Sequence, residues 1–300
     1  MVRPSRWWIL AALLVLPLVF LLDRSRTGEE RFQAEWLESG DVHVRALRSG
    51  QGDTTVLLLH GYGESLLAYR GLIAPLSQRY SVVAIDLPGS GLSENPTGSY
   101  SLDAMVARLS RSLDQWIRGP VVVVGHSMGG EIAAALAIAR PDRIVKTVLI
   151  APAGYGLGFG LTDSRFSTEQ QGLAGWSLKA RELLVPVEDS DWLMDPPELP
   201  ATARSDSASR EAAAAFLRDF DFSALRNRFG EVKQPTLLIW GGLDPLIPID
   251  IGRRIAEELP NERFVEIGNS WHRPHVEQPA RVAAEILDFV GSNNSATDQR

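Results

Sequence analysis

Three groups of residues in this chain of 300 residues have the types and the order that nucleophilic catalysis requires. Ser127 lies in the segment Gly-His-Ser-Met-Gly-Gly, which begins at Gly125 and follows four valines. At a sharp strand-to-helix turn such a serine projects from the sheet, and the helix N-terminus favours negative charge there. Glycine is expected at positions 125 and 129 because side chains two residues either side of the serine would collide. The pattern predicts that Ser127 is a nucleophile.

A serine nucleophile requires a general base, and the chain has five histidines. Three of them belong to a predicted strand or to glycine-rich turns: His43, His60 and His126. The other two, His272 and His275, both follow Asp244, in the chain order serine, aspartate, histidine. We prefer His272 as the base, because His275 follows Pro274, where a helix is expected to begin, and is interpreted as a capping or supporting residue.

Asp244 comes just beyond a late apolar run, where a carboxylate can orient an imidazole. Taken alone, Asp244 is more simply explained as a turn residue before Pro245. Its position between Ser127 and His272 in the chain favours the catalytic interpretation.

A fourth group offers hydrogen-bond donors for a developing oxyanion. The segment His-Gly-Tyr-Gly-Glu-Ser begins at His60, follows an apolar run and precedes a predicted helix. We expect the backbone N–H of Tyr62 and that of Met128 to form an oxyanion hole. His60 and Gly61 support this loop, although by themselves they are an ordinary turn. This chemistry calls for no metal and no cofactor.

The apolar pattern predicts an α/β fold with a mostly parallel sheet. Continuous apolar runs of strand length, typical of strands covered on both faces, occupy 55–60, 81–86, 121–125, 147–151, 236–240 and 263–267. Residues 31–37 and 42–48 resemble an antiparallel pair. Helical spacing follows Ser101, a candidate N-cap, and recurs over residues 280–289.

About 80 residues separate the runs at 147–151 and 236–240, too many for a simple crossover. This stretch is interpreted as an inserted cap, residues 153–231, on a core formed by residues 27–152 and 232–292. Alternating glycines between Gly154 and Gly160 are interpreted as a hinge into the cap and not as a nucleotide loop, because no ribose-binding acid follows. Residues 293–300 form a polar tail.

The amino terminus is predicted to be a membrane anchor, residues 1–26. Its apolar run, residues 7–22, spans roughly 24 Å as a helix, against ~30 Å of hydrocarbon. The segment after the run lacks the small residues of a signal-peptide cleavage site, so an uncleaved anchor is preferred. Arginines flank the run on both sides, and we expect the catalytic domain outside the cytosol.

Composition excludes several classes of protein. The net charge is −7, and residues 1–26 carry +3, which leaves −10 on the remainder. So acidic a domain is a poor partner for nucleic acid. The absence of cysteine excludes disulfides, zinc–thiolate sites and a cysteine nucleophile. The oligomeric state cannot be predicted from these features.

Together these motifs resemble the α/β-hydrolase superfamily over residues 35–290. The residues that carry the resemblance are HGYGES, DLPGSGLSENP, GHSMGG, LLIWGGLDPLIP and WHRPHVEQP. The resemblance implies an eight-stranded sheet with a helical cap after strand six, and a triad of Ser127, Asp244 and His272. One departure is Trp271, where such families usually place glycine before the histidine.

The serine at position 127 distinguishes the chain from dehalogenase-like and epoxide-hydrolase-like branches, which place aspartate there. With its predicted anchor, the chain is most similar to monoacylglycerol lipases and related carboxylesterases. This implies hydrolysis of monoacylglycerol or other apolar acyl esters through an acyl-enzyme. Two alternatives stay open: hydrolysis of a carbon–carbon bond in a ring-cleavage product by the same triad, and a non-catalytic membrane-anchored binding protein.

Overall fold

The computed structural model describes residues 32–156, 193–194 and 206–292. In chain order its strands are β1 (Phe32–Ser39), β2 (Val42–Ser49), β3 (Thr55–Leu59), β4 (Ser81–Ile85), β5 (Val121–His126), β6 (Ile144–Ile150), β7 (Leu193–Met194), β8 (Thr236–Gly241) and β9 (Glu262–Ile267). They form one sheet in the order β7-β1-β2-β4-β3-β5-β6-β8-β9.

The sheet is mostly parallel, as predicted. β2 is antiparallel to β1 and to β4, whereas β4, β3, β5, β6, β8 and β9 pair in parallel. Every residue of β3, β5 and β8 is buried, which explains their unbroken apolar sequences. The eight predicted strands are present, and β7, only two residues long, adds a parallel edge beside β1.

Helices cover both faces of this sheet. They are α1 (Arg70–Ser77), α2 (Leu102–Trp116), α3 (Met128–Ala139), α4 (Asp206–Asp219), α5 (Ile249–Glu258), α6 (Pro274–Glu277) and α7 (Pro279–Gly291). One buried apolar cluster joins the sheet to α2, α3, α4 and α5, and a second joins its other face to α1 and α7. Each large side chain buried there contributes roughly 1.5–3 kcal/mol to folding.

The predicted start of α2 is confirmed. Ser101 is its N-cap, and the Ser101 hydroxyl accepts a hydrogen bond from the Ala104 amide at 3.3 Å. This bond satisfies one of the amide donors that a helix N-terminus leaves without an intrahelical partner.

Three predicted segments fall partly or wholly beyond the described residues. The anchor of residues 1–26, most of the cap of residues 153–231 and the tail of residues 293–300 lie outside them, whereas α4 is a described part of the cap segment. Among the residues that the structure describes, none of the helices has the length and apolar character needed to cross a membrane.

Candidate active site

Ser127 occupies the turn between β5 and α3 with a backbone φ of 52°. A non-glycine residue in this region costs about 1–3 kcal/mol, so the surrounding structure must hold it. The Ser127 amide donates to the carbonyl of Ile150 at 3.0 Å, and the Ser127 carbonyl accepts from the amide of Ala153 at 2.9 Å. Ile150 is the last residue of β6 and Ala153 follows in the next segment, so the end of the neighbouring strand and the residues after it fix the strained turn.

The two glycines predicted from the pattern are required by close backbone contacts. A Cβ at Gly125 would overlap the carbonyl oxygen of Gly129, and a Cβ at Gly129 would overlap the carbonyl oxygens of Leu59 and His60. The turn therefore packs directly against the carboxyl end of β3, from which the loop containing Tyr62 departs.

Asp244 and His272 form a buried pair at the carboxyl ends of β8 and β9. His272 Nδ1 lies 2.7 Å from Asp244 Oδ2 and donates to it, because an ionised carboxylate only accepts. The other oxygen, Oδ1, accepts the amides of Leu246 at 2.8 Å and Ile247 at 2.9 Å. These bonds fix the carboxylate, and the carboxylate in turn fixes the tautomer of His272, leaving Nε2 without a proton.

His272 Nε2 has no hydrogen-bond partner among the described residues. The ring of His272 lies 4.8 Å, centre to centre, from the ring of His126, the residue that precedes Ser127. An unprotonated imidazole nitrogen beside a serine turn can accept a hydroxyl proton. The structure thus brings together the three elements that carry the predicted triad.

Glu277 on α6 holds the loop that carries His272. Its carboxylate accepts the Ser270 hydroxyl at 2.8 Å and the backbone amides of Trp271 at 2.6 Å and Arg273 at 3.0 Å. Trp271 itself is 54% exposed, so the bulky residue at the position where glycine is usual points outward and the loop accommodates it.

The predicted oxyanion donors lie on the two loops that meet at Ser127. Met128 is the first residue of α3, and its amide is among those that an α-helix leaves without an intrahelical acceptor. Tyr62 follows β3, and its ring makes edge contacts with Phe216 at 6.4 Å and Phe222 at 6.2 Å. Its hydroxyl donates to the Ala213 carbonyl at 3.3 Å, so α4 lies over this loop.

His60 has a structural role that fits its predicted support of the loop. Its Nδ1 lies 2.8 Å from the Gly61 carbonyl, and its Nε2 accepts the Leu87 amide at 2.9 Å. Burial lowers the pKa of His60, although the charge of Asp86 opposes this. The neutral ring therefore ties the end of β3 to the segment after β4.

A charged cluster to which the sequence analysis assigned no role lies behind Ser127 and His272. Glu64 Oε2 accepts the Gly61 amide at 2.8 Å and lies 2.9 Å from His126 Nδ1, and Glu64 Oε1 forms an ion pair with Arg273 Nε at 3.0 Å. Burial would raise the pKa of the Glu64 carboxyl, but the charge and hydrogen bond of His126, with Arg273, hold it well below its usual range. Glu64 is therefore ionised.

His275 makes no capping hydrogen bond, so the capping part of its interpretation is wrong. Its ring packs between Tyr69 and His126, at centroid distances of 5.1 and 4.4 Å, and neither ring nitrogen has a described partner. Burial and the neighbouring His126 hold the pKa of His275 well below its usual value, so the ring is neutral.

Possible ligand atoms of Glu64, His126 and His275 lie within 4.8 Å of one another, a spacing that a metal ion could use. The Glu64 carboxylate, however, already faces three donors, the Gly61 amide, His126 and Arg273. Hydrogen-bond donors of the protein, with the guanidinium of Arg273, thus already surround this carboxylate.

Glu131 is a second buried acid that the sequence analysis did not single out. It lies in the first turn of α3, close behind Ser127, and its buried carboxyl faces the backbone of Ala224 and Leu225. Burial raises its pKa well above the ordinary value of 4.5, although these backbone contacts oppose the shift. Burial therefore favours the protonated form of Glu131.

The chain matches a family described as the alpha/beta hydrolase fold over residues 54–279. It is 32% identical over 275 residues to a 2-hydroxy-6-oxononadienedioate/2-hydroxy-6-oxononatrienedioate hydrolase of Paraburkholderia phymatum, covering 85% of this chain and 93% of that protein. An uncharacterised hydrolase of Bacillus subtilis is 29% identical over 251 residues, covering 80% of this chain and 90% of the relative.

Among solved structures, a bacterial membrane phospholipase A is similar to this chain with 25% identity and a TM-score of 0.63. That match covers 95% of this chain and 98% of the phospholipase chain. The likeness therefore extends over nearly the whole of both chains.

Proposed function

We propose, from the premise that this chain belongs to the α/β-hydrolase family and is a hydrolase, that it cleaves carboxylic esters of apolar acyl groups through an acyl-enzyme on Ser127. The observation that carries the proposal is the buried Asp244–His272 pair. Its His272 Nε2 has no hydrogen-bond partner among the described residues and lies beside the strained Ser127 turn. A base of fixed tautomer next to a serine hydroxyl is the arrangement that acyl transfer requires.

In the proposed reaction, Ser127 Oγ attacks the acyl carbonyl and its proton moves to His272 Nε2. The backbone amides of Tyr62 and Met128 hold the resulting oxyanion. The bond from the acyl carbon to the alcohol oxygen then breaks, and the alcohol leaves with the proton from His272. A water molecule next gives a proton to His272 Nε2 and attacks the acyl carbon. The bond from the acyl carbon to Ser127 Oγ then breaks, His272 returns the proton to Oγ, and the acid is released.

Asp244 contributes by stabilising the imidazolium that exists transiently on His272, and it does not itself take the proton. Its two amide donors, from Leu246 and Ile247, keep the negative charge in place. No step of this mechanism requires a metal or a cofactor.

An apolar acyl group is favoured by the side chains that lie over the Tyr62 loop. Phe216 and Phe220 on and after α4 are buried, and Phe222 makes ring contact with both Tyr62 and Phe220. The likeness to a membrane phospholipase A agrees with a lipid ester, and so would the predicted anchor of residues 1–26. Monoacylglycerol is one such substrate.

The second candidate is hydrolysis of a carbon–carbon bond, and the relative from Paraburkholderia phymatum favours it. Cationic side chains favour binding of the two carboxylates of a dienedioate. In the described part of the chain, the guanidinium beside His272 is that of Arg273, and it is paired with Glu64. This pairing favours an uncharged acyl ester over a dianion, and for that reason we place the ester reaction first.

The test compares p-nitrophenyl esters from acetyl to palmitoyl, using the full chain beside Ser127→Ala. We expect hydrolysis that is fastest for medium or long acyl groups and that falls on the order of 10⁴-fold or more in the variant. Equal rates for short and long esters would contradict the apolar substrate. If all esters are inert while a 2-hydroxy-6-oxodienoate is consumed, the carbon–carbon reaction replaces the ester reaction.

A further inference from the structure

One buried carboxylate connects the three loops that carry the proposed chemistry. Glu64 accepts the amide of Gly61 in the Tyr62 loop at 2.8 Å. It lies 2.9 Å from His126 Nδ1 in the Ser127 turn and 3.0 Å from Arg273 Nε in the His272 loop. The side chain of Glu64 is only 4% exposed, so water does not screen these contacts strongly.

His126 has a partner at each of its ring nitrogens. Its Nε2 lies 3.0 Å from the backbone carbonyl oxygen of His272, which can only accept, so Nε2 donates. Its Nδ1 lies 2.9 Å from the carboxylate of Glu64. The His126 ring is thus held between the side chain of Glu64 and the main chain of His272.

The bond from His126 to the carbonyl of His272 links the nucleophile turn to the base directly. The two residues are 146 positions apart in the chain, yet the side chain next to Ser127 holds the main chain of His272. Asp244 fixes the His272 ring at one nitrogen, and His126 fixes the backbone from which that ring extends. Together they set the direction of Nε2.

We propose that Glu64 and His126 are positioning residues for the reaction, which hold His272 and the Tyr62 loop in register with Ser127. This inference rests on the proposed function. Glu64 orients the His126 ring, and His126 transmits that orientation to His272. Neither residue touches the substrate.

The main test replaces Glu64 with glutamine, which keeps the size of the side chain but removes its charge. We expect kcat for a p-nitrophenyl ester to fall about 10- to 100-fold while KM changes little, because a displacement of about 1 Å in a base costs on that order. The matched control is Glu285→Gln on α7, which breaks an ion pair with Arg263 on β9 and should keep the kcat of the wild type.

Two substitutions of His126 test its two hydrogen bonds one at a time. They also replace Glu64→Gln as the test if that variant does not fold. His126→Gln places an amide N–H near the position of Nε2 and keeps the donor to the His272 carbonyl. His126→Asn places its amide near Nδ1 and keeps only the contact with Glu64. We expect His126→Gln to retain more kcat than His126→Asn; equal losses would overturn the proposed link to His272.

A double-mutant cycle distinguishes positioning from general stabilisation. The rate of Ser127 labelling by a fluorophosphonate is measured for Glu64→Gln, His272→Ala and the double variant. We expect Glu64→Gln to cost nothing further once His272 is absent, because it acts through that residue. An equal fold-loss in both backgrounds, or unchanged kcat in Glu64→Gln, would overturn the inference. Failure of the proposed function looks different, because the wild type itself would then not hydrolyse the p-nitrophenyl ester.

Discussion

At the scale of the residue, both carboxylate oxygens of Asp244 have defined hydrogen-bond partners. These contacts predict a specific effect of Asp244→Asn. Asparagine can still accept the amides of Leu246 and Ile247, but its NH₂ group would face His272 Nδ1 and favour the wrong tautomer. We expect kcat for an ester to fall on the order of 10⁴-fold without unfolding.

The control for that substitution is Asp250→Asn on α5. Asp250 is 84% exposed at its side chain and pairs with Arg253 on the surface. The substitution Asp250→Asn should leave both kcat and Tm unchanged. A comparable loss of kcat in the two variants would contradict the assigned role of Asp244.

The raised pKa of Glu131 predicts that its contribution to stability depends on pH. The folded protein keeps this carboxyl protonated above the ordinary pKa of 4.5, whereas the unfolded chain releases the proton near that value. The unfolded state then binds fewer protons, so this group lowers stability as pH rises through that range. We expect Glu131→Gln to match the wild type in Tm near pH 4 and to exceed it near pH 8.

The matched control is Glu257→Gln, an exposed glutamate on α5. Thermal unfolding followed by circular dichroism at both pH values should show no gain for Glu257→Gln. A lower Tm for Glu131→Gln than for the wild type near pH 8 would mean that Glu131 is ionised in the folded protein and that its burial is stabilised by another charge.

Much of the candidate site could be predicted from residue types alone. Ser127, Asp244 and His272 could be chosen because only certain types perform acyl transfer and their chain order is restrictive. Glu64 lies in the motif HGYGES and Arg273 in the motif WHRPHVEQP. A single sequence does not reveal which residues of opposite charge are in contact. Their pairing across the fold is visible only when the loops are placed together.

At the scale of the element, the turn between β5 and α3 depends on the absence of side chains. Gly129→Ala would place a Cβ against the carbonyl oxygens of Leu59 and His60, and backbone cannot move aside as a side chain does. We expect the free energy of unfolding in urea to fall by about 1–3 kcal/mol, with loss of ester hydrolysis.

Gly268→Ala is the matched control, because a Cβ at Gly268 would meet no atom within 4 Å. It should change neither the unfolding free energy nor kcat appreciably. If Gly129→Ala behaves like Gly268→Ala in both measurements, the close packing of the turn on β3 is not essential.

The strands of the parallel sheet could be predicted from their unbroken apolar sequences. The exact residues at which they begin and end could not be predicted in the same way. β6 begins at Ile144, earlier than the apolar pattern from residue 147 suggests, because Lys146 interrupts the pattern. Lys146 Nζ donates to the carbonyls of Phe289 at 2.8 Å and Ser292 at 2.6 Å, at the end of α7. A lysine inside a strand thus serves a distant helix terminus, which sequence spacing does not indicate.

At the scale of the whole molecule, α4 joins the cap segment to the core through Phe216. This side chain is 2% exposed, and its ring contacts those of Tyr62 and Tyr100 at 6.4 and 4.7 Å. We expect Phe216→Ala to lower the free energy of unfolding by about 3–5 kcal/mol. We also expect it to raise KM for long acyl esters, since the segment over the Tyr62 loop would no longer be fixed.

Phe216→Leu is the comparison, because it keeps most of the apolar volume and should lose less stability. Urea denaturation and steady-state kinetics on the same preparations measure both effects. If KM for long acyl esters is unchanged in Phe216→Ala although stability falls, the contact holds the fold together but does not shape the substrate site.

The most direct test is to identify the residue that acts as the nucleophile. The full chain is incubated with a fluorophosphonate, which phosphonylates the nucleophile, and the modified residue is located by mass spectrometry of its peptides. We expect one adduct, on Ser127, that is absent in Ser127→Ala and forms far more slowly in His272→Ala. An adduct on another residue, or none at all on the folded protein, would contradict the assignment of Ser127 as the nucleophile.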